Sequence, residues 1–280
     1  MSRATRLFAT VVLSMLAART LVAQQSPSYE AYAIQYGTLA NFPVRGLVAG
    51  ADTARRIDVA AMVWLLKAPG GRTVLVDAGF YRDEFMARWK PVNYVRPAQA
   101  VEAFGVPAGS VTDIIVSHVH WDHADGIDLF PNARIWIQRA EYEYYVGPRG
   151  EALQSGITAS DAAMFARLKA SGRVMLVEGD DQEPIPGIRV YTGGRHTYAS
   201  QFASVRTRAG TVVIASDNCY LYENLEKHAA IAQTFDAASN LAAQARMATI
   251  ATSPKLIVPG HDPAVFLRFP IVKPGVARID

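Results

Sequence analysis

The chain reads as a layered α/β protein with two sheets packed face to face and its polar residues gathered at one edge. Two observations predict this. Short apolar strands alternate with helical stretches along the sequence. A weak internal duplication also runs through it: a hairpin closed by Asp, a region with helix, then an apolar strand closed by His, each occurring twice.

In the first copy, apolar runs at 59–67 and 72–76 are joined by Ala68-Pro69-Gly70-Gly71, a hairpin signal, and Asp77 closes the second strand. A buried-strand pattern at 113–117 then ends at His118. In the second copy, runs at 201–208 and 211–216 are joined by Ala209-Gly210 and closed by Asp217, and the strand at 255–260 ends at His261. Helices are expected over 97–104, 139–145, 160–170 and 234–252. The last carries Phe235, Ala238, Leu241, Ala242, Ala245 and Met247 roughly along one side, enough to lie on a sheet.

Half of the 280 residues are hydrophobic and 19% are charged, which suits a chain with a sizeable buried core. No biased tract runs far, so a disordered, collagen-like or coiled-coil chain is excluded. The one cysteine, Cys219, can form no internal disulfide and reads as a small apolar filler.

Residues 1–23 read as a secretory signal peptide. Arg3 and Arg6 give a basic start, residues 7–18 an apolar run too short for a comfortable membrane span, and Ala23 a small residue for cleavage. A periplasmic or secreted bacterial protein with no stable membrane insertion is therefore expected. Residues 24–280, undivided by any Pro- or Ser-rich linker, are expected to form one domain. Loss of the leader's three arginines leaves 25 Lys and Arg against 25 Asp and Glu. No basic stripe for a phosphate backbone remains, which excludes nucleic acid as the partner.

The chemistry is concentrated in His118-Val119-His120-Trp121-Asp122-His123, three imidazoles and a carboxylate within six residues. Imidazole nitrogen and carboxylate oxygen are what zinc and similar divalent ions accept. With His118 at a strand end, His118 and His120 can point to one side, and Asp122 and His123 to a second position close by. Four ligands so near together suit two ions sharing a bridging water better than one ion alone. His196 and His261 also follow apolar strands and join the candidates, whereas His228 reads as an ordinary hydrogen-bonded histidine.

On these residues the chain resembles the metallo-β-lactamase superfamily, whose H-x-H-x-D-H motif stands at 118–123. The resemblance covers Asp77, the motif, His196, Asp217 and His261 in order. It implies a four-layer αββα sandwich with a pseudo-twofold, in keeping with the duplication. It also implies that His118, His120 and His196 hold one metal, that Asp122, His123 and His261 hold a second, and that Asp217 bridges them. Two divalent ions are thus the expected cofactors, zinc (Zn2+) first, with manganese, iron and cobalt open to the same donors. Asp77 would orient the motif loop from behind, although by local sequence alone it serves equally as a turn cap.

Asp217 stands where true β-lactamases carry Cys or Ser, and so resembles the dinuclear hydrolases. Asp217-Asn218-Cys219-Tyr220 looks like the Asp-x-x-Tyr of N-acyl-homoserine lactonases, in which the tyrosine hydroxyl contacts the substrate carbonyl oxygen. The implied reaction is hydrolysis of a small-molecule lactone or ester by a metal-bridging hydroxide. Tyr220 would stabilise the oxyanion and Asp122 would carry the proton to the leaving oxygen. Trp121, Phe80, Tyr81 and Phe85 are expected to line an apolar pocket. Glu141-Tyr142-Glu143-Tyr144-Tyr145 reads as a half-buried helix face.

Three alternatives share part of this pattern. A thioesterase of the glyoxalase II kind would use every metal ligand. An exported β-lactamase fits the leader but neither Asp217 nor Tyr220. A metal-binding protein without turnover leaves a complete dinuclear ligand set with no purpose.

Overall fold

The fold is that of a computed structural model describing residues 27–280, so the leader expected at 1–23 lies outside the described residues. The strands in chain order are β1 (Glu30–Pro43), β2 (Arg56–Lys67), β3 (Thr73–Val76), β4 (Asp113–Ile115), β5 (Arg134–Gln138), β6 (Val174–Val177) and β7 (Gln182–Ile185). They continue as β8 (Ile188–Thr192), β9 (Gln201–Thr207), β10 (Gly210–Ser216), β11 (Ile257–Pro259), β12 (Ile271–Lys273) and β13 (Val276–Arg278). One sheet runs in the order β12-β13-β1-β2-β3-β4-β5-β6, the other β11-β10-β9-β8-β7.

The duplication is visible in the pairing. β2 and β3 form an antiparallel hairpin and β4 lies parallel to β3. β9 and β10 repeat the hairpin and β11 lies parallel to β10. Each half therefore delivers two strand ends to the same edge. A left-handed residue closes the second strand of each hairpin, Asp77 at φ 60° and Ser216 at φ 47°. Ser216 Oγ donates to Asp77 Oδ2 at 2.9 Å, joining the two turns across the pseudo-twofold.

β2 is buried continuously from Val59 to Leu66, as a strand covered on both faces must be. Its Trp64 and Leu66, with Val74, Val76 and Ile115, meet Ile188, Val205 and Ile214 of the second sheet. Its Val63 and Leu65 face outward instead, against Val101 and Phe165 of the helices Pro97–Phe104 and Ala159–Ala170. On the far side, Phe202, Val213 and Ile257 pack against Met247 of the helix Ala237–Ile250. These contacts stack helix, sheet, sheet and helix, the expected four layers. Among the described residues no helix is long and apolar enough to cross a membrane.

That last helix corrects its expectation. It is shorter than 234–252, starting from an Asp236 cap whose side chain accepts from Ser239 N. It also buries a different face: Asn240, Ala243, Gln244 and Met247 point in, while Phe235 and Leu241 stand exposed. The cause is polar. Asn240 donates to Asn218 O and accepts from Ile231 N, and Gln244 donates to Ala229 O. A side chain that satisfies buried backbone is drawn inward whatever its hydropathy.

Gly126 supports the site from behind. Its N–H donates to Gly79 O at 2.8 Å, and a Cβ there would run into the Ala78 carbonyl. Gly126→Ala is expected to cost about 1–3 kcal/mol, because backbone and not a flexible side chain must move. Denaturant unfolding of the variant checks this.

Candidate metal centre

Strand ends and the loops after them bring all the candidate ligands to one sheet edge. His120 Nδ1 lies 3.1 Å from His118 Nε2 and 2.8 Å from His196 Nε2. Asp217 Oδ2 faces this group, 3.4 Å from His196 Nε2 and 3.8 Å from His118 Nε2. Its other oxygen faces the opposite way, 3.0 Å from His261 Nε2 and 3.2 Å from His123 Nε2. Asp122 Oδ2 stands 3.5 and 3.6 Å from the same two nitrogens. The seven side chains thus make two adjoining candidate sites, His118, His120, His196 and Asp217 in one and Asp122, His123 and His261 in the other, with the second oxygen of Asp217 facing the latter.

The donors fit two cations. His123 Nε2 and Asp217 Oδ1 are buried and make no hydrogen bond, a state that costs about 1–3 kcal/mol per group when nothing is bound. Three ring nitrogens meeting at hydrogen-bond distance in the other group likewise need a cation or proton between them. The mix of imidazole and carboxylate suits zinc and its neighbours.

Each ring but one is fixed through its far nitrogen. Ser117 Oγ lies 2.9 Å from His118 Nδ1, and Asp77 Oδ2 lies 2.7 Å from His123 Nδ1. The carbonyls of Gln233 and Ala60 accept from His196 Nδ1 and His261 Nδ1 at 2.8 and 3.0 Å. Such contacts set the tautomer and aim the free nitrogen inward. Asp77 also accepts from Ser117 N at 2.8 Å and Ser117 Oγ at 2.9 Å, so it holds the motif loop and His123 together.

Burial, with the neighbouring imidazoles adding to it, holds His118 well below the ordinary imidazole range and lowers His120 and His196 to about 4. Burial also opposes charge on His123 and His261, but the Asp217 and Asp122 carboxylates outweigh it and raise both. Asp217, despite its burial, is held well below the usual carboxylate range by His123 and His261. One group is therefore three neutral imidazoles with lone pairs to give. The other pairs imidazoles with carboxylates.

A cleft of about 90 Å³ opens over Asp122, Asp217 and His261, with Tyr220 at its side. Tyr220 Oη lies 3.4 Å from His196 Nδ1. Burial, then the Asp217 and Asp122 charges, push the phenol well above its ordinary value, so it stays a neutral donor. A shallower trough of about 310 Å³ lies beyond His120 and His196, beside Tyr145 and Ser155.

Of the expected pocket residues, Trp121 lines the cleft and three do not. Phe80 and Phe85 are buried behind Trp121, with ring centroids 4.5 and 5.0 Å from it, and prop the indole. Tyr81 turns away, because the Tyr81 and Arg82 N–H groups are anchored on Asp125 and the Tyr81 hydroxyl donates to Asp128 at 3.1 Å. The apolar wall comes instead from Leu39, Phe42, Leu47, Val59 and Trp89, none of which the sequence singled out for the site. Cys219 is buried away from the ligands, donating to Leu221 O, and His228 is exposed outside the centre. Glu141, expected on a half-buried helix face, is fully buried and reaches both ligand-bearing loops.

Residues 56–261 match the metallo-beta-lactamase superfamily, nearly three quarters of the sequence. The chain belongs to that superfamily. Among curated relatives, the N-acyl homoserine lactonase of Bacillus cereus is 35% identical over 152 residues, 53% of this chain and 55% of that protein. The superfamily member described here thus spans about half the length of the curated relatives it matches. Solved structures share its fold over a longer stretch. A quorum-quenching N-acyl homoserine lactone lactonase superposes with a TM-score of 0.72 at 21% identity, covering 89% of this chain and 98% of that one. An N-acyl homoserine lactone hydrolase with N-hexanoyl-L-homoserine bound at its catalytic metal center superposes equally, at 0.72 and 20% identity, with the same two coverages.

Proposed function

We propose that this superfamily member is a two-cation hydrolase that opens lactone rings, with N-acyl homoserine lactones as the first substrate class. The observation that carries the reading is Asp217, which presents one oxygen to each ligand group in a cleft that Tyr220 also lines. His118, His120 and His196 would hold one cation, Asp122, His123 and His261 the other, and Asp217 both. Bound divalent ions, zinc foremost, would activate water at neutral pH and polarise the lactone carbonyl.

The chain's own residues supply the rest. Tyr220, kept neutral by its surroundings, donates a hydrogen bond to the oxyanion formed when the carbonyl carbon is attacked. Asp122, on the cleft floor, takes up a proton and returns it to the ring oxygen as the C–O bond breaks. Trp121 and Trp89, stacked at 5.2 Å, exclude water and give an acyl chain an apolar surface. Among the described residues no lysine or arginine lines the cleft, which favours a neutral acyl lactone over a glutathione thioester. The lactonases among the relatives and neighbours support the same choice. The basic start, apolar run and small closing residue of 1–23 support export from the cytoplasm.

A pH-stat panel tests the substrate. Zinc-loaded protein is expected to release protons from long-chain acyl-homoserine lactones faster than from an aromatic lactone, a β-lactam or a glutathione thioester. Turnover of the thioester or β-lactam with inert lactones would overturn the reading.

A further inference from the structure

Glu141 lies in the helix Arg139–Tyr145, just after β5, and its side chain is completely buried. One carboxylate oxygen accepts the Val119 N–H at 3.2 Å and the other accepts the Ala199 N–H at 2.7 Å. Val119 sits between His118 and His120, and Ala199 follows His196 by three residues. His118 and His120 flank the tied Val119 and His196 lies three residues before the tied Ala199, whereas Asp122 and His123 sit further along, in the helix Trp121–Ala124 where Asp77 holds His123, and His261 is on a separate loop. Among the described ion pairs none involves Glu141, and burial pushes it up to about 7 against the pull of the Thr197 hydroxyl and of the Ala199 and Val119 N–H groups. A buried carboxylate without a basic partner is costly, and an apolar side chain would fill the space at less expense.

We propose that Glu141 is a positioning residue that sets the three-histidine group for its cation and leaves the Asp122–His123–His261 group unaffected. The proposal rests on reading the centre as a two-cation site. Glu141→Gln keeps the size but turns an amide NH2 toward one of the two backbone N–H groups.

Calorimetric zinc titration of the chelated full-length chain tests it. Wild type is expected to take up two equivalents. In Glu141→Gln one equivalent should weaken about 10- to 100-fold while the other keeps its affinity. Cobalt absorption should place the weakened site at the three histidines. Equal affinities in variant and wild type, or equal weakening at both sites, would overturn the assignment. A wild type that binds no zinc would defeat the two-cation reading itself, a different failure. If the variant does not fold, hydrogen exchange in chelated wild type decides. The Val119 and Ala199 amides should both be protected before zinc is added, and exchange at solvent rates until zinc binds would overturn the staple.

Discussion

Asp217→Ala is expected to lose both cations and to cut lactone hydrolysis by about 1000-fold or more, several kcal/mol of barrier stabilisation. The reason is geometric. Among the described residues Asp217 is the only side chain with an oxygen toward each group, 3.4 Å from His196 and 3.0 Å from His261. Its removal leaves the first group with imidazoles alone and the second with Asp122 as its sole carboxylate. Asp217→Asn keeps the shape and drops the charge, and should behave closer to Ala than to wild type. Metal analysis alongside initial rates checks both variants. Full metal content with full activity in Asp217→Ala would remove the residue from the centre.

Tyr220→Phe should act differently, keeping both cations and the fold while kcat falls about 10- to 1000-fold. The phenol meets His196 Nδ1 at a long 3.4 Å and also touches Asp217, while that nitrogen keeps its bond to Gln233 O at 2.8 Å and Asp217 keeps its histidine partners. Ligand geometry therefore survives the loss of the hydroxyl. The transition state loses a neutral donor, so the deficit should appear in kcat more than in KM. Steady-state kinetics with one acyl-homoserine lactone separate the two constants. An unchanged kcat would exclude Tyr220 from the reaction.

The candidate ligands stand out in the sequence because they follow strand ends, and strands announce themselves by local apolar runs. His118 to His123 needed no long-range information at all, whereas the shared role of Asp217 came from the resemblance, since the residue that matches Asp77 at the hairpin end is Ser216. The two facing sheets followed from the same repeats, and the four-layer plan from the resemblance. The cleft wall was not legible. Leu39 and Phe42 come from β1, Val59 from β2 and Leu47 from the connection between them, distant in sequence from the motif, and look like core residues until the sheet brings them to its edge. Hydropathy also misjudged inward polar residues. Asn240 and Gln244 are buried to satisfy loop backbone, and Glu141 to join two loops, roles that a periodicity of apolar residues does not register. Tyr81 misled for the opposite reason, an aromatic side chain beside the site whose backbone anchor turns its ring away.

The most direct test of the central claim is lactone hydrolysis measured while chelated protein is titrated with zinc. Proton release from an acyl-homoserine lactone should be absent without metal and should rise to saturation at two equivalents per chain, one for each ligand group. Hydrolysis persisting in protein shown to be metal-free would contradict the account. So would a zinc-saturated chain inert to every lactone.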